Sequence, residues 1–377
     1  MKLRLLYLHT FLHYAGDTVG EVFSAVLLYS LGFSIVHILV FCGLKWGVMA
    51  LLTPLMPVIV SKMGFLRAGV ISVLAIIAAN LILITRPEGE VSFVIFGVLL
   101  VLYGIGGSVT LPIQTTMRVM FIPEPERGRV NGRLFAMRAA AVMIASLLIG
   151  FFLEHRLVMV LTIAGTLALS LVPLGLIFMG VKRPKGYSYG TTFGIMRRKA
   201  FRRFMPVFAL RAPMHTERFL ISLFIFLVVG NITLLAIYVV FATLVEMIVM
   251  LLLGNRFDQN RSKAFRLSAV SRSLSLMLLS VRPFVERLPV VGQIFNRIAS
   301  RAYDNVYWSY EQRIVKNLKL EPSVTSAAVE TTIYFAQMAV CLAFAGLALT
   351  VGQDIFYVIF AGSILAAWTI YARLRRV

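Results

Sequence analysis

The chain has 377 residues, 59% hydrophobic and 14% charged, with 37 Lys and Arg against 16 Asp and Glu for a net charge of +21. Soluble domains carry about a quarter charged residues, so this composition excludes an ordinary soluble core and predicts an all-α integral membrane protein. The basic residues lie between apolar runs, which points to membrane topology and contact with anionic lipid heads and speaks against a nucleic-acid partner.

Taken in order, the apolar runs are Leu5–Tyr29, Ile35–Val60, Ala68–Thr85, Val91–Met117, Phe135–Leu153 and Leu157–Met179, then Phe204–Val229, Ile232–Leu253, Phe265–Val281, Val290–Tyr310, Val324–Leu349 and Ile355–Tyr371. Each approximates the 20 or so residues that cross a hydrocarbon core about 30 Å thick. Twelve transmembrane helices are expected, in two six-helix halves, residues 1–180 and 204–377. Between them, residues 181–203 carry eight Lys and Arg and no acid, the mark of a water-facing linker. Lys2 and Arg4 precede the first run without a small-residue cleavage site, so that run reads as a retained helix.

Loop charge sets the orientation. Loops on one side hold 27 Lys and Arg, among them five counted over Arg118–Arg138 and four over Gly254–Arg266. The other side holds four: Arg86, Arg156, Arg282 and Arg287. Positive loops stay inside, so the linker and both termini are expected in the cytoplasm of a cell-membrane protein. No phosphate-binding loop of the Gly-x-x-x-x-Gly-Lys-Ser/Thr type occurs, and no cofactor is implied. Cys42 and Cys341 both sit in apolar runs, which implies neither a disulfide framework nor a metal site. His residues are scattered and no Asp-x-x-Asp repeat is present, so an enzyme is not expected.

Charges inside apolar runs cost about 2.5–3.5 kcal/mol each on insertion scales and face a cavity or a partner. In the first run His9, His13, Asp17 and Glu21 recur every four residues, a slowly winding stripe on one helix face. Asp17 and Glu21 lie one turn apart, and two desolvated carboxylates that close resist ionising together. Proton coupling or a substrate role through Asp17, Glu21 and His13 is one reading, a static Asp17–Lys45 pair is another, and a water-exposed helix end is a third. His9, near the inner end, reads as interfacial. Lys45 either neutralises one of the two acids or meets an anionic substrate.

In the later runs Arg211, His215 and Arg218 share one helix face, and Arg297, Arg301 and Asp304 share another, while Arg272 lies inside the Phe265–Val281 run. Guanidinium does not shed its proton, so Arg218, Arg272 and Arg301, with Asp304 and Lys45, are substrate-binding candidates. Arg211 and Arg297 sit near helix ends where they can snorkel instead. Gly104, Gly106 and Gly107, and the prolines Pro54, Pro57, Pro206 and Pro213, mark close packing and kinks.

Two six-helix halves with a basic central loop resemble the major facilitator superfamily of secondary transporters. That family's loop between its second and third helices reads Gly-x-x-x-Asp-Arg-x-Gly-Arg. At the matching positions Pro57, Ser61, Lys62 and Gly64, only the basic residue and the last glycine are kept. The corresponding later loop is fuller, with Gly254 and Asp258 followed by Arg261 and Lys263. The resemblance implies that these residues latch helix ends in one transport state, Asp258 foremost. Pro123-Glu124-Pro125-Glu126-Arg127-Gly128-Arg129 resembles the family's connection from its fourth to its fifth helix, although the Gly-Pro pair of drug antiporters is missing from Ala139 to Gly150. The expectation is a monomeric, proton-coupled transporter of a small solute, leaning to an organic anion, working by alternating access. The alternative is a protein of the same fold that does not pump, lipid-handling or receptor-like. Convergence of Asp17, Lys45 and Arg301 on one central cavity distinguishes the two.

Overall fold

The computed structural model describes the chain except residues 86–91, 153–155, 182, 184–186, 282–286, 319 and 376–377, and in addition excludes the side chains at 21, 150–152, 156–157, 255–256 and 261. The expectations for Glu21, Arg261, Arg86, Arg156, Arg282, Lys182 and Lys185 therefore lie outside the described side chains. The described residues contain helices and no strand.

Helix starts are written in the sequence. Ser34, Ser92, Asn231 and Asn260 each accept from a backbone N–H three residues on, satisfying a donor the helix cannot. Breaks are equally local. Helix Ile35–Leu52 passes through a 3₁₀ turn at Thr53–Leu55, where Pro54 removes a donor. Met56–Thr85 is interrupted at Gly64, whose φ of +85° suits glycine. Together these helices occupy Ile35–Thr85, 51 residues, too long for one crossing at 1.5 Å per residue. Gly352, at φ +57°, divides Pro322–Val351 from Ile355–Leu374 in the same way.

Among the described residues seven helical stretches are long and apolar enough to cross a membrane, and the protein is a multi-pass membrane protein. The other expected runs are helical as well: Lys2–Thr18 continuing to Ser30, Arg261–Leu279 and Pro289–Asn317. Many of their polar residues are buried, among them His9, His13, Arg272, Ser275, Asn296 and Asp304. The helices outrun the apolar stretches, however. Ile232–Gln259 and Arg261–Leu279 leave only Asn260 of the expected Gly254–Arg266 loop, because backbone hydrogen bonding does not stop where hydropathy falls.

Two helix pairs join the sequence before the basic stretch to the sequence after it: Arg127–Phe152 on Ile232–Gln259, and Ile35–Leu52 on Pro322–Val351. Small residues allow both. A methyl on Gly132 would sit 2.9 Å from the Met250 carbonyl oxygen and 3.0 Å from the Gly254 Cα. One on Gly43 would sit 3.0 Å from the Leu342 side chain. The glycines expected to bring helices close also do so: a methyl on Gly104 would collide with Val48, and one on Gly107 with Met49.

At one end of the bundle the two parts are tied by polar contacts. Asn305 Nδ2 donates to the Gly128 carbonyl (3.2 Å), Gln312 Nε2 to Asn131 Oδ1 (3.3 Å), and Lys316 Nζ to Glu124 Oε2 (3.3 Å). The basic stretch folds over this end as Tyr189–Arg197 and Lys199–Arg202, with Ile195 and Phe201 buried. Arg183 donates to the Lys62 carbonyl and lies against Gly64. In the Lys62–Gly64 turn it is thus the backbone that makes the contact.

Candidate functional site

A cavity of about 260 Å³ lies between the two parts of the chain. Its walls bring together residues that the sequence nominated separately. Asp17 and His13 come from the first helix, Lys45 from Ile35–Leu52, Arg218 from Ala212–Val229, and Arg301 from Pro289–Asn317. Asp17, Lys45 and Arg301 therefore converge on one space.

Just past Asp17 the first helix takes a π turn. Val19–Phe23 is π-helical, which inserts a residue and breaks the constant four-residue stripe expected between Asp17 and Glu21. His13 stacks on His9 (centroids 5.7 Å apart) and lines the cavity. His9 is not interfacial but buried, its Nδ1 2.9 Å from the Ser170 carbonyl oxygen. The interior of this helix bundle extends further toward the chain's start than the apolar run suggested. Asp17 is half-buried and its carboxylate has no hydrogen bond to the described side chains.

Lys45 lies over two ring faces, Trp46 and Phe219, each 4.7 Å from its Nζ. Trp46 in turn stacks on Tyr334, with centroids 5.4 Å apart. Among the described residues no carboxylate lies within 4 Å of Lys45.

The arginines of the later helices are held by acids. Arg218 pairs with Asp304, and Arg301 with Glu246 (3.1 Å) and Asp304 (3.6 Å). Arg297 reaches Glu246 at 3.7 Å. Arg211, which could have snorkelled, is buried and donates to Glu311 Oε2 at 3.1 Å. Arg272 departs from its expected role. It is fully buried, hydrogen-bonded to Glu217 and to Ser300 (2.6 Å), and does not line the cavity. Glu217 lies about 100° round its helix from the Arg218 face, and Arg272 follows it away from the cavity.

Four charged cavity residues were missed: Arg118, Arg138, Glu311 and Glu330. Arg118 and Arg138 were counted as loop charges, yet both line the cavity. Arg118 lies 3.6 Å above the Trp308 ring and donates to Gln114 Oε1 (3.4 Å), while Arg138 lies over Tyr14 at 4.4 Å. The signal for Arg138 was its position inside the Phe135–Leu153 run. Without these two the loop count falls from 27 to 25 against four. Glu330 is an acid inside the Val324–Leu349 run. It accepts from Thr115 Oγ1 (2.8 Å) across the two parts of the chain.

Asp258, expected as a latch, accepts from the backbone N–H groups of Gly128 (2.7 Å) and Arg129 (2.8 Å). Gly254, one turn earlier, packs 3.4 Å from the Arg129 Cα, measured to a methyl placed on it. No group of three or more potential metal ligands occurs among the described residues.

The fold is shared with solved transporters. A bacterial homologue of the iron transporter ferroportin, in an outward-facing state, superposes with a TM-score of 0.69 at 13% identity, over 100% of this chain and 99% of that one. The human organic anion transporter MFSD10 superposes at 0.62 with 12% identity, over 98% of each chain. No protein-family model and no curated protein matches the sequence.

Proposed function

Starting from the major facilitator fold that these neighbours share, we propose that this chain is a secondary active transporter of a small organic anion, coupled to protons. Residues 1–180 and 204–377 would be its two six-helix halves, crossing the membrane twelve times and rocking about the central cavity. Both termini and the 181–203 linker would face the cytoplasm, and the protein would act as a monomer in the cell membrane.

The charge of the cavity wall carries the reading. Among the described residues seven Lys and Arg line it: Lys45, Arg118, Arg138, Arg211, Arg218, Arg297 and Arg301. Against them stand five carboxylates: Asp17, Glu311 and Glu330 on the wall, with Glu246 and Asp304 behind it. The acids of the later helices are engaged with arginine or threonine, and on the earlier helices Lys45 and Arg118 have no carboxylate within 4 Å among the described residues. A site of this sign attracts an anion and repels a divalent cation. The organic anion transporter among the structural neighbours agrees with this sign.

Proton coupling follows from competition for Lys45. Asp17 and Lys45 line the same cavity without touching, so an ionised Asp17 would offset the ammonium charge across it, whereas a protonated Asp17 would leave that charge to a substrate anion. Proton and anion then load together and move together. A central cavity lined by charged side chains from both parts favours transport over a lipid-handling role, for which a lipid-facing groove would be needed. The test is proteoliposome uptake of organic anions under an imposed pH gradient. Asp17→Asn should abolish uphill accumulation and leave anion exchange intact. Uphill transport retained in Asp17→Asn removes Asp17 from the coupling.

A further inference from the structure

We infer that the cavity is built for an elongated organic dianion, with one acidic group held at Lys45 and the other at Arg118. The inference rests on the anion-transporter reading above and specifies its substrate class.

Both cations line the cavity, and among the described residues neither has a carboxylate within 4 Å. Each is instead seated on aromatic faces: Lys45 on Trp46 and Phe219, Arg118 on Trp308 at 3.6 Å. A ring face offsets only part of the desolvation of a buried cation. A ring face also takes up none of the N–H donors of the ammonium or guanidinium as an acid would, so donors remain for an anion in the cavity that both residues line. Arg118 gives one donor to Gln114 and keeps others.

The two cations are not neighbours. Lys45 Nζ lies 6.0 Å from the Tyr103 ring, and Tyr103 and Arg118 are fifteen residues apart on the helix Phe93–Phe121. That separation is roughly 22 Å of helix rise, which long side chains shorten without closing. One carboxylate or one phosphate cannot reach both. A molecule with an acid at each end and several atoms between can. Trp46 at the Lys45 end, Trp308 at the Arg118 end and Tyr334 stacked on Trp46 give the same cavity apolar faces for the body of such a molecule. At the Lys45 end Asp17 is the competing acid, and in the proposed cycle it carries the proton when substrate is bound.

The terminal groups fit carboxylate and phosphonate alike, since both accept two donors from guanidinium. Equilibrium binding to the purified full chain separates them. The probes are α,ω-dicarboxylates of four to eight carbons, the matching monocarboxylates, and ω-phosphonocarboxylates of the same lengths. The longer dianions should bind at least about tenfold more tightly than the matching monoanions. Lys45→Gln and Arg118→Gln should each reduce dianion binding to the monoanion level, while Lys45→Arg and Arg118→Lys keep most of the preference. Size-exclusion profiles establish that each variant is folded. Equal affinity for mono- and dianions, or an undiminished preference in both glutamine variants, overturns the dianion inference and leaves an anion transporter in place. If no organic anion of any class binds or is carried, the transporter reading itself falls.

Discussion

Asp258 caps a helix that is not its own: one of its carboxylate oxygens accepts the Gly128 N–H at 2.7 Å, at the start of Arg127–Phe152, 130 residues away in sequence. The negative charge meets the positive end of that helix and two of its otherwise orphaned donors. Asp258→Ala should therefore cost about 1–3 kcal/mol of stability and loosen this end of the bundle. Thermal unfolding, together with thiol labelling of an Asn305→Cys reporter, measures both. Unchanged melting and labelling would show that Asp258 clasps nothing.

Arg272 and Glu217 form a fully buried pair away from the cavity. Removing one partner strands a charge, so Glu217→Gln or Arg272→Met should lose about 3–5 kcal/mol, and the double change to apolar residues should recover most of it. Substrate affinity in the recovered protein should match the native chain. A changed affinity in the stable double variant would return Arg272 to the binding site.

Gly132→Ala should force apart the helices Arg127–Phe152 and Ile232–Gln259, because the new methyl meets the Met250 carbonyl and the Gly254 Cα at about 3 Å. Backbone cannot yield as a side chain does. Gly346→Ala is the control, with open space around its methyl and better helix propensity. The melting temperature should drop for the first and hold or rise for the second; equal behaviour would mean that the close approach is not needed.

Lys316 donates to Glu124 at 3.3 Å across the two parts, and this hydrogen bond, then the Arg127 charge, holds the Glu124 carboxyl below its usual range. A depressed carboxylate contributes stability in full above its unfolded value near 4.5 and loses it as pH falls through the lower folded value. Both side chains are substantially exposed, 58% and 43%, so the contribution belongs at the low end of the roughly 0–1 kcal/mol of surface pairs. Lys316→Met should shrink the acid-side slope of stability against pH, and so should high salt. A slope untouched by either would remove the pair from the account.

The fold was legible because it depends on hydropathy, a property each residue carries alone. Lys45 and Asp17 were legible for the same reason: a charge in the middle of an apolar run has few destinations. Arg118 and Arg138 were not, since near a run's edge a charge serves equally in water or in a cavity, and loop counting assigns it to water by default. Partner choice was beyond reach as well. That Arg301 turns to Glu246 while Arg218 takes Asp304 depends on how three helices rotate against each other, which no single-helix periodicity contains. The π turn at Val19–Phe23 leaves no compositional mark either, though it resets the face of everything after it.

Cys42 and Cys341 are the two cysteines of the chain, both free, and their sulfurs lie 3.5 Å apart where Ile35–Leu52 meets Pro322–Val351. One belongs to the sequence before the basic stretch and the other to the sequence after it. Any rocking of the two parts that opens this seam must separate them. Both thiols are fully buried here, so in the unmodified protein their reaction with a thiol reagent would report an opening of this seam, with no residue replaced.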